Sequence, residues 1–327
     1  MSHLIITHTD ADGWVSAAIV NKYLTETYKD VSILNSSWNY GYDYTHIEQL
    51  IAPSITDIWM LDITLPNEFM VKYANRIHHF DHHASKINDK DFAIFYKILK
   101  EEKSTITLPD YLDVNMQPAK QVAACELIWT SLFPHKIIPR LVYWTGRYDI
   151  WNHDKAETTF AVHEYLQNLE SVDFPKTKWL DPKFIELFDD DKIPEVITKG
   201  KELLKYKKIF AAQNSIKISN VLSINNINTI VANIHTVGST YFQEVLNKYS
   251  SKNIKAIITY NINIYNLTCV CSCYGINGFD ALAFLSKIYN NAINTEDKVS
   301  FGGHIGACGC VFKIESLTKF LNYLKNN

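Results

Sequence analysis

The stretch Leu4-Ile5-Ile6-Thr7-His8-Thr9-Asp10-Ala11-Asp12-Gly13 decides how this chain is read. Its first four residues are apolar or β-branched, a short run that suits a buried strand. The run ends on an imidazole and two carboxylates two positions apart. Gly13 lets the backbone turn, and apolar residues then recur at helical spacing over 14–24, with Asp12-Gly13 as the expected cap. Working outward, the pattern repeats. Residues 31–34 read as a strand, 44–51 as a short helix and 58–61 as a strand ending at Asp62. Pro66 suits the first turn of a helix reaching about 75, and strand 77–80 ends at Asp81-His82-His83. Strands separated by helices imply a parallel sheet with helices on both faces. In such sheets ligands bind beyond the carboxyl ends of the strands, where these acids and imidazoles fall. Helical stretches at 118–132 and 140–145 follow, the second delivering Tyr148-Asp149 from farther along the chain.

At 327 residues the chain is too long for one ordinary core and suits two domains. Charged residues make up 20% and hydrophobic ones 47%, a globular composition. The net charge is −3, whereas a protein that grips long nucleic acid by counterion release is distinctly basic. Any nucleic-acid substrate is therefore expected to be short. No apolar run reaches transmembrane length, and Met1-Ser2-His3-Leu4 lacks the basic and apolar regions of a signal peptide, so a cytosolic location is expected.

Between 171 and 191 the sequence turns irregular and acidic, and a helix over 194–212 connects it to the second half. Lys199, Lys201, Lys205, Lys207 and Lys208 on that helix read as a solvated face in preference to a grip on a substrate backbone. Short β-branched strands follow at 229–234, 256–262 and 267–271, with helices at 239–248 and 280–289. The expected domains are thus 1–170, a linker with its connecting helix at 171–214, and 215–327. Cys269, Cys271 and Cys273 alternate on one strand, with Cys308 and Cys310 farther on. That spacing is not that of a structural zinc site, and it reads as small core residues on paired strands.

Each acidic motif alone has a bland reading. Asp-x-Asp-Gly is a common turn, His8 an ordinary strand-edge residue and Asp62 an N-cap. Asp81-His82-His83 is sharper, because two adjacent imidazoles behind a carboxylate have little structural purpose at the end of a buried strand. Gathered at strand ends, these acids and imidazoles are what a pair of divalent metals requires. Two such metals are a standard device for hydrolysing phosphate esters.

Taken together, His8-x-Asp10-x-Asp12-Gly13, Asp62, Asp81-His82-His83 and Asp149 resemble the four motifs of the DHH phosphoesterase superfamily. Gly302-Gly303-His304, with Gly306 and Gly309, resembles the glycine-rich motif of its DHHA1 substrate-binding domain, so the resemblance spans both ends of the chain. The implied fold is α/β, a parallel-sheet DHH catalytic domain followed by a smaller α/β DHHA1 domain. Thr7-His8-Thr9-Asp10-Ala11-Asp12-Gly13, Phe80-Asp81-His82-His83 and Arg147-Tyr148-Asp149-Ile150-Trp151 are most similar to the oligoribonuclease branch, which degrades nanoRNA. Other branches are single-strand DNA exonucleases, cyclic-dinucleotide phosphodiesterases, phosphoadenosine phosphatases and a class of inorganic pyrophosphatases.

The resemblance implies one metal held by His8, Asp10 and Asp62, and a second held by Asp12, Asp62, His82 and Asp149, with Asp62 bridging. Mixed imidazole and carboxylate ligation suits Mn²⁺ better than Mg²⁺. His83 would contact the phosphoryl oxygens and assist the leaving group, and Asp81 would orient a histidine from behind. Arg147 is read equally as a neutraliser of phosphate charge and as the partner of a nearby carboxylate. Gly302 and Gly303 would bring backbone amides to a substrate phosphate, with His304 as a donor. Two departures bear on the substrate. Ser300-Phe301 stand where the family's glycine run begins, and Ser272-Cys273-Tyr274 stand where it tends to place an arginine. Tyr274 either stacks on a base or belongs to the core.

The expectation is a two-domain, Mn²⁺-dependent phosphodiesterase that hydrolyses short oligonucleotides to mononucleotides in the cleft between its domains. The enzymatic alternatives are a nucleotide phosphatase and a cyclic-dinucleotide phosphodiesterase. The alternative of another class is a nucleotide-binding protein without turnover. No membrane partner is expected, and a homodimer is left open.

Overall fold

The protein is described from a computed structural model over residues 1–40, 43–83, 105–107, 122–150, 152, 155–169, 179, 181–234 and 239–327. Trp151, the start of the expected 118–132 helix, and most of the irregular stretch expected at 171–191 up to 180 lie outside the described residues. The chain divides into two compact units, Met1–Leu204 and Lys205–Asn327.

The first unit runs β1 (Ser2–Thr7), α1 (Ala11–Thr27), β2 (Ser32–Ser37), α2 (Thr45–Leu50), β3 (Ile55–Leu61), α3 (Asn67–Lys72), β4 (Ile77–Phe80) and β5 (Thr105–Thr107). It continues with α4 (Ala124–Leu132), α5 (Arg140–Asp149), α6 (Ala156–Asn168) and α7 (Pro182–Glu186), and ends within α8 (Ile193–Ile218). Its sheet is parallel throughout, in the order β2-β1-β3-β4-β5. The chain leaves β1 towards one side to make β2, then returns to the other side for β3. The order therefore reverses between β1 and β3, and a crevice at such a switch point is where open parallel sheets bind ligands.

Alternation along the strands fills both faces. Ile5, Trp59, Leu61 and Phe80 join a core with Val15, Ala18 and Ile19 of α1, Ile128 of α4 and Leu141 of α5. Leu4, Ile6, Ile58, Met60 and Ile77 point the other way and pack with Ile47, Phe69 and Met70. Strands buried on both sides read as continuous apolar runs, which is why they stand out in the sequence.

Three details differ from expectation. The cap of α1 is Asp10, not Asp12-Gly13: its extended backbone precedes Ala11 and its carboxylate accepts the Gly13 amide at 3.0 Å. Asp12 thus lies buried inside the first turn. Gly13 is needed for space, since a Cβ there would stand 2.5 Å from the His8 carbonyl oxygen. Finally, β5 and α6 are additional to the expected elements, the first because three residues are too few to show a period.

The second unit carries the remainder of α8 and a six-stranded sheet in the order β10-β11-β9-β8-β7-β6. These are β6 (Ser219–Ile224), β7 (Ile227–Asn233), β8 (Ala256–Asn263), β9 (Thr268–Gly275), β10 (Lys298–Gly303) and β11 (Ala307–Lys313). The β7–β8 pair is parallel and the other pairs are antiparallel. Asn225 and Asn226, at φ 51° and 64°, make the two-residue turn of the unexpected β6–β7 hairpin, a conformation asparagine tolerates. Helices α9 (Gln243–Lys248), α10 (Ala281–Ala292) and α11 (Leu317–Asn326) complete the unit. Register sets Cys271 opposite Cys310 and Cys273 opposite Cys308. These four thiols and Cys269 are free and buried in the core beside Phe284 and Leu285. On α8, Lys199 pairs with Glu195 and Lys201 with Glu157, and Lys205 and Lys208 are exposed. Among the described residues no helix is long and apolar enough to cross a membrane.

Candidate metal centre

The carboxyl ends of β1 and β3 meet at the switch point, with the His8 amide donating to the Leu61 carbonyl. Asp62 follows at φ 59°, a left-handed conformation uncommon for a residue with a Cβ. Its amide continues the ladder to Phe80 at 2.8 Å, so the turn begins only beyond that bond. The carboxylate is 1% exposed, and among the described residues neither oxygen accepts a hydrogen bond. A buried carboxylate left this way is costly unless something positive completes it.

Two donor groups flank it. On one side His8 Nδ1 lies 2.6 Å from Asp10 Oδ2 and 3.6 Å from Asp62 Oδ2. On the other, His82 Nε2 has three carboxylates around it: Asp149 Oδ2 at 3.0 Å, Asp62 Oδ1 at 3.3 Å and Asp12 Oδ2 at 3.6 Å. Four motifs scattered over the first half of the chain therefore supply one contiguous centre, and Asp62 belongs to both groups. Asp149 reaches it from the last residue of α5. Ligands about 2.1 Å from one ion stand about 3.0–3.5 Å apart in octahedral or tetrahedral shells. The spacing around His82 matches such a shell. Four carboxylates, Asp10, Asp12, Asp62 and Asp149, are also balanced in charge by two divalent cations. The donor set fits the expected metals.

Asp12 is held from behind. Its two oxygens accept the Ala124 and Cys125 amides, each at 2.9 Å, so it serves as the cap of α4, a helix far along the chain. Asp81 is taken up by its own neighbours. One oxygen accepts the His82 amide at 2.8 Å, the His83 amide at 3.1 Å and His83 Nδ1 at 2.6 Å, and the other accepts the Thr64 hydroxyl. Thr64 also contacts His79 Nε2 at 3.1 Å, forming a buried line from His79 to His83. Tyr40 sets its ring about 6 Å from those of His8 and His83 and accepts the Thr64 amide through its hydroxyl. Burial and the Asp81 charge push that phenol up.

Charge and burial set the protonation of the centre. Burial raises Asp12 well above the carboxylate range, helped by Asp62 and Asp149. Burial and the Asp10 charge raise Asp62. Burial alone would lower His82, but Asp149 and Asp62 hold it well above the ordinary imidazole value. Against its burial, His8 is raised likewise by Asp10 and Asp62. Asp10 is held well below its usual range by His8, again against its burial.

The raised groups contribute stability to the metal-free fold below their unfolded values, and that contribution is lost as pH rises through the folded ones. Asp10 stabilises above the ordinary carboxylate range, so its contribution is constant between about pH 6 and 8. Divalent ions bound among these groups would compete with those protons. Saturating Mn²⁺ should therefore raise the Tm of EDTA-treated protein by about 5–10 °C at about pH 8 and by less at about pH 6. An increment unchanged over that range in thermal scans would mean that ions and protons do not compete here.

Arg147 Nη2 pairs with Glu126 Oε2, which is the carboxylate-partner reading of that residue. In the second unit, Gly302 and Gly303 end β10, and Gly303 at φ 130° packs so closely that a Cβ would stand 2.5 Å from Cys308 Cα. The His304 amide donates to the Ala307 carbonyl at 2.7 Å and closes the hairpin. Tyr274 packs partly buried beside Ile257. Sequence reading misses Tyr40, Thr64, His79, Glu126 and the α4 amides.

No family model matches the chain, and no curated protein matches it in sequence. Solved structures do. RecJ from Thermus thermophilus in complex with Mn²⁺ aligns over 99% of this chain and 51% of its own, at 11% identity and a TM-score of 0.53. The pGpG-specific phosphodiesterase PggH from Vibrio cholerae aligns over 99% and 97%, at 12% identity and 0.50. CDC45 from Entamoeba histolytica aligns over 99% and 94%, at 8% identity and 0.50. The chain spans about half the length of the RecJ it matches. At these identities the likeness is one of fold.

Proposed function

From the DHH/DHHA1 superfamily fold that this chain shares with RecJ and PggH, we propose a metal-dependent phosphodiesterase that hydrolyses short oligonucleotides to mononucleotides. One observation carries the reading: three carboxylates surround His82 Nε2 within 3.6 Å, and the shared Asp62 accepts no hydrogen bond among the described residues. His8, Asp10 and Asp62 would hold one divalent ion, and Asp12, Asp62, His82 and Asp149 the other. When bound, the pair would polarise a phosphoryl oxygen and supply a nucleophile at neutral pH. The imidazole ligands favour Mn²⁺ over Mg²⁺. His83, anchored through Nδ1 on Asp81, would pass a proton to a departing oxygen.

An oligoribonucleotide is the leading substrate, on the similarity of the segments around Asp10, His82 and Asp149 to the oligoribonuclease branch. The net charge of −3 supports a short one. The test is a panel with Mn²⁺: short oligoribonucleotides, their deoxy counterparts, pGpG, a cyclic dinucleotide and a phosphoadenosine nucleotide. Release of mononucleotides from the RNA set supports the proposal. Free phosphate as the only product would favour a phosphatase, and tight binding without any product would favour a sequestering protein.

In the same reading His304 contacts substrate outside the chemistry. His304→Ala should raise KM about 5–10-fold and leave kcat within about twofold. A fall in kcat at constant KM would move His304 into the reaction itself.

A further inference from the structure

The geometry points to the Glu126–Arg147 ion pair as a positioning device that sets the ligand cage around His82. This rests on the two-metal reading above. The first turn of α4 does two things at once. Its Ala124 and Cys125 amides hold both oxygens of Asp12, and its Glu126 accepts the Ala123 amide at 3.1 Å, fixing the start of the helix. The same Glu126 oxygen receives Arg147 from the last turn of α5. Two residues beyond Arg147 stands Asp149, 3.0 Å from His82 Nε2. Gly146 draws the helices together, because a Cβ there would lie 2.7 Å from the Glu126 carboxyl carbon.

The pair therefore joins the element that aims Asp12 to the element that ends in Asp149. It is nearly withdrawn from water, with side chains 6% and 16% exposed. Buried ion pairs recover little more than their desolvation cost, and apolar replacements are often neutral for stability. Placement is the better account, since metal cages tolerate ligand displacements of only about 0.5 Å. The His8, Asp10 and Asp62 group takes nothing from α4 or α5; its ligands come from the ends of β1 and β3. Loss of the pair should weaken one ion selectively.

The full chain is titrated with Mn²⁺ alone, followed by calorimetry and by electron paramagnetic resonance, which separates coupled from isolated ions. Wild type should bind two ions with a coupled signal. Arg147→Met and Glu126→Gln, the latter keeping an acceptor for the Ala123 amide, should bind the first ion unchanged and the second about 10–100-fold more weakly. Arg147→Lys should fall between. The inference is overturned if both loss variants bind a coupled pair like wild type, or if they lose the two ions in equal measure together with thermal stability. A wild type that binds no coupled pair sinks the two-metal reading and the positioning role with it.

Discussion

Asp62→Asn should reduce Mn²⁺-dependent turnover by about 10³-fold or more while leaving the metal-free protein more stable than wild type. Asparagine is the cleaner probe here than alanine. At φ 59° the left-handed backbone costs a residue such as alanine about 1–2 kcal/mol, whereas asparagine occupies it readily. A loss of activity in the asparagine variant is then a loss of the shared carboxylate and not of the turn. Stability should move the other way if the cost of burying this charge beside Asp10 exceeds what the neighbouring His8 and His82 imidazoles return to it. Removing it should raise the metal-free Tm by about 2–5 °C. Near-native turnover in this variant, or a lower Tm, would refute the shared-ligand role.

Asp12→Ala should behave oppositely in stability although it belongs to the same cage. Its oxygens satisfy the Ala124 and Cys125 amides at the buried start of α4. Each unsatisfied buried amide costs about 1–3 kcal/mol, so the variant should lose about 2–6 kcal/mol in urea unfolding of the metal-free protein. Asp12→Asn, with one oxygen left to accept, should lose roughly half as much. Turnover should fall in both. A neutral Asp12→Ala would mean that water replaces the carboxylate and that α4 does not depend on it. On the proposed two-metal reading, the contrast between Asp62 and Asp12 would separate a charge kept for an ion from a charge that also holds up a helix.

How much of this is visible in the sequence depends on what each residue does. Strands β1 and β3 are legible because burial on both faces makes their apolar runs continuous, whereas β4, Ile77-His78-His79-Phe80, is marked by its place before Asp81; each is followed by an acid or imidazole with no other reason to be there. The helical stretch read at 140–145 delivers Asp149 from beyond its end, whereas α5 continues through Arg147 and ends on Asp149 itself. The supports are not legible. Glu126 looks like any polar residue on an amphipathic helix, and only the approach of Gly146 and Arg147 shows it to be buried. Thr64 sits two residues past Asp62 in what reads as a turn, and its contact with Asp81 depends on β3 and β4 lying side by side. Asp10 and Asp12 are both expected as ligands, but which one caps α1 is decided by backbone angles that spacing alone does not reveal. The glycine-rich end of β10 is legible as a motif because Gly303 must adopt a positive φ, while the Asn225-Asn226 turn carries no glycine to announce it.

The long-range capping of α4 by Asp12 has a bearing on how the protein is made. During synthesis β1 and its acids leave the ribosome first, but their amide partners at 124 and 125 and the carboxylate at 149 come much later. Until then a nascent chain displays anionic side chains whose counterparts do not yet exist. The cage is thus completed in a late step of the first unit's folding, as expected when contacts of high sequence separation form after local ones. Cation supply in the cell would accordingly influence how much newly made protein matures, and not only how fast the mature form works.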